Sequence, residues 1–549
     1  MSDGRHRNKE TIIDNSTRSK GRFFSGVAIL TLSAFAVKII GLLYKIPMMR
    51  YLGEEGMGYF NSAYEIYTFF YILATAGLPV ATSILVAESL GKGKLFSVKR
   101  IFRVSMALFF VIGLAGTAVL YFGSDAFAAM IESSGAALCI AAISPMALFI
   151  CVSSAIRGYF QGHQNMTPTA VSQIVEALGK LLLGLAFAAF AVKNGYSIPY
   201  AAAFATLGIT VGAGLSMIYL MLVKLVSGRK EIGRETKVRE KNGQIAGSIV
   251  KIAIPITFSS LVISLTRVVD LFMILRRLQA IGYTEEAANA VYGSYTTLAV
   301  SMFNLPAAFV TPIALALVPV LASAVKCGDK YKESNTLNSS LRLCGLITLP
   351  ASFGLSVFSR PILELVFYGE EGAINTAAPL LSVLGASVFF SCMMTVTNAI
   401  LQAYGKERLP IFSMLAGAAV KIVLSYILIG MPNVNIYGAS VSTFACSLTV
   451  AAINFAYVKR CSEALDSPVK LFGASLVASS VSVAVGGAAY FTLLARFGSS
   501  WMLTLGAISV TAVLFALLAL KLGAIGEDEI LLLPRGDKIC KMLRKVKLV

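Results

Sequence analysis

The chain has 549 residues, 57% hydrophobic and 14% charged, with a mean hydropathy of +0.77. A soluble domain carries about 25% charge, so this composition excludes a water-soluble enzyme with one anchor and points to a polytopic membrane protein. The formal net charge of +19 comes from 47 Lys and Arg against 28 Asp and Glu. With no soluble segment that interleaves basic and aromatic residues, the excess is assigned to membrane insertion and no nucleic-acid partner is expected.

In chain order, residues 1–23 read as a disordered, polar cytoplasmic tail with six basic residues. Six apolar spans follow at 24–46, 59–86, 104–123, 135–156, 169–192 and 200–223, forming a first lobe over 24–223. The first is not a signal peptide, because it holds Lys38 and Lys45 and lacks a small-residue cleavage site. Residues 224–251 form a cytoplasmic linker with eight basic residues. A second lobe over 252–458 holds spans at 252–275, 291–324, 343–358, 376–403, 411–430 and 437–458. The segment 291–324 contains Pro306, Pro312 and Pro319 and is expected to be one kinked, tilted span. Two further spans, 471–495 and 501–520, lie within 459–523, and residues 524–549 form a cytoplasmic tail. The expected fold is therefore an all-α polytopic membrane protein with about fourteen transmembrane helices, two pseudo-symmetric six-helix lobes plus two C-terminal helices.

The two lobes echo each other. Pro79-Val80-Ala81-Thr82-Ser83 recurs as Pro319-Val320-Leu321-Ala322-Ser323, an offset of 240; Lys180 and Lys421 are offset by 241, and Lys38 and Arg267 by 229. Matches in one order at comparable offsets indicate a duplication. Since six helices return the chain to its starting side, the repeats are parallel, about an axis along the membrane normal.

Eight charged residues fall inside the spans: Lys38, Lys45, Glu65, Glu176, Lys180, Arg267, Asp270 and Lys421. Each costs about 2.5–3.5 kcal/mol at the bilayer centre, so most must face protein or a wet cavity. Two readings stay open. Glu176 with Lys180 and Arg267 with Asp270 have the spacing of structural pairs along one helix; Lys45 could snorkel to the interface, and Glu65 could be a hydrogen-bonded core residue. Alternatively, five cations against three anions leave two positive charges over. A cavity lined by Lys38, Lys45, Lys180, Arg267 and Lys421 would then suit an anion with more than one phosphate charge, with Glu65, Glu176 and Asp270 holding the cations apart or binding a coupling ion such as Na⁺ or H⁺. Eight cysteines without a CxxC pair, together with the widely separated His6 and His163, give no metal site, and no cofactor is expected.

Fourteen spans, the duplication, Lys38-Ile39-Ile40-Gly41, Arg50-Tyr51-Leu52-Gly53, Gly56-Met57-Gly58-Tyr59 and Arg157-Gly158-Tyr159-Phe160-Gln161-Gly162 together resemble the polysaccharide-flippase branch of the multidrug/oligosaccharidyl-lipid/polysaccharide superfamily. The resemblance covers about residues 20–525 and is strongest to the stage V sporulation protein B group and the MurJ-type lipid II flippases of Gram-positive bacteria. It implies a bacterial cytoplasmic-membrane transporter, not an enzyme, whose first helix offers cations to the pyrophosphate of an undecaprenyl-linked glycan and whose last two helices form a groove for the lipid tail. By position Lys38 matches one of those cations. Tyr44 and Lys45 stand where the family has a second cation and an adjacent acid. Ser301 and Asn304 precede Leu305-Pro306 where Gram-negative members carry Arg and Glu, leaving Arg267 and Asp270 as the available substitutes.

The leading expectation is a flippase for an anionic lipid-linked oligosaccharide, such as lipid II or a related wall or cortex precursor, working by alternating access. A multidrug cation antiporter of the same superfamily would favour an acidic cavity. A membrane glycosyltransferase would need catalytic carboxylates or a His in a large surface loop, and a non-transporting sporulation scaffold would need no recurring buried cations.

With the N-terminus inside, 36 Lys and Arg fall in inner segments and six in outer loops (Arg50, Lys193, Arg276, Arg277, Arg360, Arg496), so both termini are expected to be cytoplasmic. Cysteines introduced at 54–57, 282–286 and 369–372 should react with an impermeant thiol reagent on intact cells. Those at 229–241 should not, and labelling there would reverse the layout.

Overall fold

The computed structural model describes residues 3–92, 95–227, 242–462, 464–498 and 500–524, and among them regular structure is helical throughout. Most of the expected basic linker, 228–241, and the tail from 525 lie outside the described residues. The first helices are α1 (Asp3–Thr75), α2 (Leu78–Gly91), α3 (Leu95–Phe122), α4 (Ser124–Met130), α5 (Ala136–Ile143), α6 (Met146–Gly162), α7 (Thr167–Lys193) and α8 (Ile198–Ser227). They are followed by α9 (Asn242–Ala280), α10 (Glu285–Ser294), a π-helical turn (Tyr295–Ala299), α11 (Val300–Phe303) and α12 (Leu305–Cys327). The rest are α13 (Lys330–Val357), α14 (Ser359–Val366), α15 (Glu371–Ala403), α16 (Arg408–Ile429), α17 (Tyr437–Cys461), α18 (Pro468–Phe497) and α19 (Trp501–Lys521).

Among the described residues, twelve helical segments are long and apolar enough to cross a membrane. The first, Leu32–Gly91, has 60 residues, about 90 Å at 1.5 Å per residue, so it holds two crossings. Adding α9 gives a helix for each of the fourteen expected spans, and the chain is a multi-pass membrane protein.

Three local expectations are corrected. The polar N-terminal tail is helical from Asp3, because extending an existing helix avoids the cost of nucleating one. The first two spans form one assigned helix that turns at Gly53, whose φ of 65° suits glycine, and a second break at Ala76-Gly77 precedes Pro79 in the first turn of α2. The segment 291–324 is not one continuous span. The π-turn and a break at Asn304 divide it, and Pro306 sits in the first turn of α12, where its missing N–H costs nothing. Elsewhere caps mark the ends as local chemistry dictates. Thr284 and Asp329 accept backbone N–H bonds at the starts of α10 and α13, and Gly328 closes α12 at φ 68°.

By its internal contacts the chain divides into Met1–Leu271 and Phe272–Val549. Most of α9 thus belongs with the first unit, where the Ala253 carbonyl oxygen would lie 2.3 Å from a Cβ at Gly77. In the same unit α7 and α8 meet backbone to backbone. A Cβ at Gly179 would lie 2.6 Å from the Gly212 Cα, and one at Gly208 would lie 2.4 Å from the Gly184 Cα. Small residues at this spacing let membrane helices approach closely enough for dispersion to hold them.

In the second unit α15 is the central helix. Val388, Cys392, Val396 and Ile400 on α15 pack with Leu317 and Leu321 of α12, Leu341 and Cys344 of α13, and Ala451 and Val458 of α17. A polar strap ties the segment entering α18 to α13. Arg342 donates to Asp466 at 2.9 Å, Asn338 donates to the Ala464 carbonyl at 2.9 Å, and the Asp466 N–H donates to Asn338 at 3.0 Å. Buried Glu333 accepts from Tyr404 at 2.6 Å and from Ser462 at 3.1 Å.

The duplication also shows in the buried polar groups. In the first unit Arg157 of α6 donates to Ser172 of α7 at 3.0 Å and to Ser216 of α8 at 3.4 Å. In the second, Asn454 of α17 donates to Asn398 of α15 at 2.7 Å and accepts from Ser413 of α16 at 2.5 Å. Arg157 and Asn398, and Ser172 and Ser413, are both offset by 241. Corresponding helix triplets are therefore pinned at corresponding places, by an ion in one unit and by amides in the other.

Two predictions follow from this packing. Gly212→Leu should push α7 and α8 apart and destabilise the protein by about 1–3 kcal/mol or more, read as a lower midpoint in thermal unfolding in detergent, whereas Gly506→Ala, with open space around it, should leave the midpoint unchanged or raised. Asp466 lies between spans, and its bonds to Lys470 first, then to Arg342, hold its carboxyl below the ordinary carboxylate range against a smaller opposing desolvation. Its contribution is thus present above the unfolded pKa of about 3.9 and lost as pH falls through the lower folded value; unfolding scans should show a loss of stability below about pH 4 that Asp466→Asn lacks.

Candidate functional site: a cationic cavity in the first unit

Three charged or polar helix faces of the first unit border a cavity of about 310 Å³, with Lys38 and Tyr44 from the first part of α1, Tyr64 and Tyr71 from its second part, and Gln173, Glu176 and Lys180 from α7. Lys38 is exposed, whereas Glu176 and Lys180 are half-buried. The Gly179–Gly212 contact sets the depth of α7 and so where Lys180 can reach.

The expected pairing of Glu176 with Lys180 is not what forms. Glu176 accepts from the guanidinium of Arg157 at 3.0 Å, and Arg157 is 5% exposed with its other donors on Ser172 and Ser216. The reason is geometric and chemical. A planar guanidinium spans three helices and satisfies several buried acceptors at once, which a lysine four residues along the same helix cannot do. Lys180 instead lies over aromatic faces, its ammonium 4.1 Å from the ring centroid of Tyr64, 5.1 Å from Tyr44 and 6.0 Å from Phe60. Among the described residues Lys180 makes no ion pair with a carboxylate; Glu176 acts on it from a longer distance. Such cation–π contacts are worth about 0.5–2 kcal/mol where water is excluded.

The other expected residues divide clearly. Lys45, half-buried, is within electrostatic reach of Lys180, Glu65 and Arg267, so four of the expected residues join the cavity's charge field. Asp270 is half-buried, one turn beyond Arg267 on α9. Lys421 is half-buried on α16 in the second unit. Near the cavity, Lys38, Lys45, Arg157, Lys180 and Arg267 stand against Glu65 and Glu176, and counting Asp270 still leaves two cations in surplus. The buried hydroxyls of Tyr44 and Tyr67 carry no hydrogen bond among the described residues, so Tyr44 brings a free donor to the wall. The arrangement can receive an anion.

Sequence reasoning missed Arg157 and the aromatic box around Lys180. The expected fourth span ends at 156, whereas α6 continues to Gly162 and encloses Arg157. A signal was available: Arg157 is the one Lys, Arg, Asp or Glu between Glu132 and Glu176. In the second unit, helices α13, α14, α18 and α19 enclose an apolar cavity of about 260 Å³ lined by Gly354, Phe358, Ile362, Val483, Ile508 and Phe515. The last two helices, on which the family resemblance implies a groove for a lipid tail, supply part of its wall.

Residues 23–325 match the family described as polysaccharide biosynthesis protein, and residues 255–427 match the family described as MatE. Stage V sporulation protein B of Bacillus subtilis (strain 168) is 27% identical over 519 residues, 94% of this chain and 98% of that protein. Lipid II flippase MurJ of the same organism is 27% identical over 458 residues, 80% of this chain and 83% of that protein. Among solved structures, lipid II flippase MurJ in its inward closed conformation superposes with a TM-score of 0.67 at 15% identity, covering 90% of this chain and 98% of that one. The fold is shared over 90% of the chain, and a family match over more than half of it places this membrane protein in the polysaccharide biosynthesis protein family.

Proposed function

We propose that the chain is a flippase that carries an anionic, pyrophosphate-linked lipid saccharide across the cytoplasmic membrane by alternating access, with both termini in the cytoplasm. The observation that carries this reading is the fate of Glu176. Because Arg157 takes it, the Lys180 ammonium rests on aromatic faces rather than on the carboxylate four residues away, and Lys38 lines the same cavity. A cationic drug or a bare Na⁺ would meet net repulsion there, whereas a diphosphate would meet two ammonium groups and the Tyr44 hydroxyl. The ammonium of Lys180 leaves its aromatic box at small cost, since charge-assisted hydrogen bonds to phosphate, about 1.5–3 kcal/mol each, exceed what the rings provide. The relatives support this substrate class by their own names, and the apolar cavity beside α18 and α19 supports a lipid tail.

The test is complementation of a strain depleted of its lipid II flippase, with membrane insertion checked by immunoblot. Lys38→Ala and Lys180→Ala should each lose complementation while inserting normally, and Lys38→Arg should keep it. Arg157→Ala strands the half-buried Glu176 carboxylate and should lower stability, seen as reduced protein level. Arg157→Gln together with Glu176→Gln should restore that level and leave transport working. Full complementation by the Lys38→Ala, Lys180→Ala double variant sinks the anion reading.

A further inference from the structure

A second cavity, of about 460 Å³, lies in the second unit between Arg360, Glu364 and Tyr368 around α14, Glu371 at the start of α15, and Trp501 and Thr504 at the start of α19. Its volume falls within the ~300–1,000 Å³ usual for small-molecule sites. Trp501 is the chain's one tryptophan. It is 60% exposed and Tyr368 is 78% exposed, so two broad aromatic surfaces border the opening. An interfacial tryptophan alone would be a membrane anchor. Here it faces a wall of charged groups, which an anchor does not need.

The charges decide what fits. Arg360 donates to Glu364 at 2.8 Å, which offsets its charge inside the site. Glu371 then leaves the lining net negative, so a phosphate or an anionic headgroup is repelled. What the wall does present is carboxylate oxygens as acceptors and guanidinium N–H groups as donors, beside flat apolar rings. A pyranose matches that set, because its C–H face lies against an aromatic ring while its hydroxyls both donate and accept at the edge. The α14 helix also divides two environments. Arg360 and Glu364 border this cavity, and Ile362, between them, borders the apolar cavity on α18 and α19. A polar site and an apolar one therefore share α14 and α19, as an amphiphile with a sugar head and a hydrocarbon tail requires.

We propose that this cavity binds a sugar ring of a lipid-linked saccharide on the outer face of the membrane, with Trp501 and Tyr368 as stacking surfaces and Glu364, Glu371 and Arg360 as its hydrogen-bonding groups. The assignment to the outer face rests on the orientation and the flippase reading under Proposed function; the binding chemistry does not.

Because Trp501 is the one tryptophan, intrinsic fluorescence of the full-length protein in lipid nanodiscs reports this site directly. Titration with N,N′-diacetylchitobiose, a sugar without lipid or phosphate, should give a saturable change in emission. Its apparent Kd should weaken at least tenfold in Glu364→Gln with Glu371→Gln and in Tyr368→Ala, and be kept in Tyr368→Phe. Each variant must show the ligand-free emission maximum of the unaltered protein; Glu371→Gln alone replaces any that does not. No saturable response in the unaltered protein, or a response to choline chloride that the disaccharide fails to displace, overturns the proposal in favour of an interfacial anchor or a cation site. Lys38→Ala and Lys180→Ala separate the two readings. Retained sugar binding with lost complementation supports both, and retained binding with full complementation removes the anion cavity while leaving this site in place.

Discussion

An ion kept from water must be matched by a counter-charge and by hydrogen bonds, and the Arg157–Glu176 pair is where this chain meets that demand most fully. The guanidinium reaches Glu176, Ser172 and Ser216 from α6, so one side chain joins three helices. Replacing such a group is costly because each acceptor left behind stays desolvated. The close approach of α7 to α8 at Gly179 and Gly212 complements it, since small residues bring the helices to the distance that the polar contacts need.

The same pair determines the character of the cavity next to it. With Glu176 engaged, Lys180 is held by the faces of Tyr64, Tyr44 and Phe60, which attract a cation without neutralising it. A carboxylate in their place would have cancelled the charge. The cavity thus stores positive charge that an arriving anion can use, and Lys38 adds to it from the facing helix. The second unit keeps the architecture and drops the ions: Asn398, Ser413 and Asn454 pin the corresponding helices as neutral groups. Duplication thus preserved the mechanical role of the polar knot while its charge came to differ between units.

Helix interruptions serve the same division of labour. Gly53, Gly77 and the Asn304–Pro306 break place irregular backbone between straight spans, where loss of a hydrogen bond is tolerated. The strap from α13 to Asp466 and Ala464 anchors the segment that starts α18, and α18 and α19 in turn line the apolar cavity while the start of α19 lines the polar one.

The sequence by itself determined the class of the protein, its run of spans, the duplication and which charges fall inside the spans. Those properties are written in composition, in stretches of about 20 apolar residues and in the cost of placing Lys or Glu among them, all of which are local. It did not determine partners. Glu176 has Lys180 at helical spacing, yet pairs with Arg157, nineteen residues away on another helix. Likewise nothing in the spacing of Tyr44 and Phe60 shows that α1 and α7 bring them under one ammonium. Spacing along a helix limits which residues can meet, but the choice among them belongs to interhelical packing. A buried ion takes the partner that satisfies the most donors and acceptors together, and that count exists only once the helices have met.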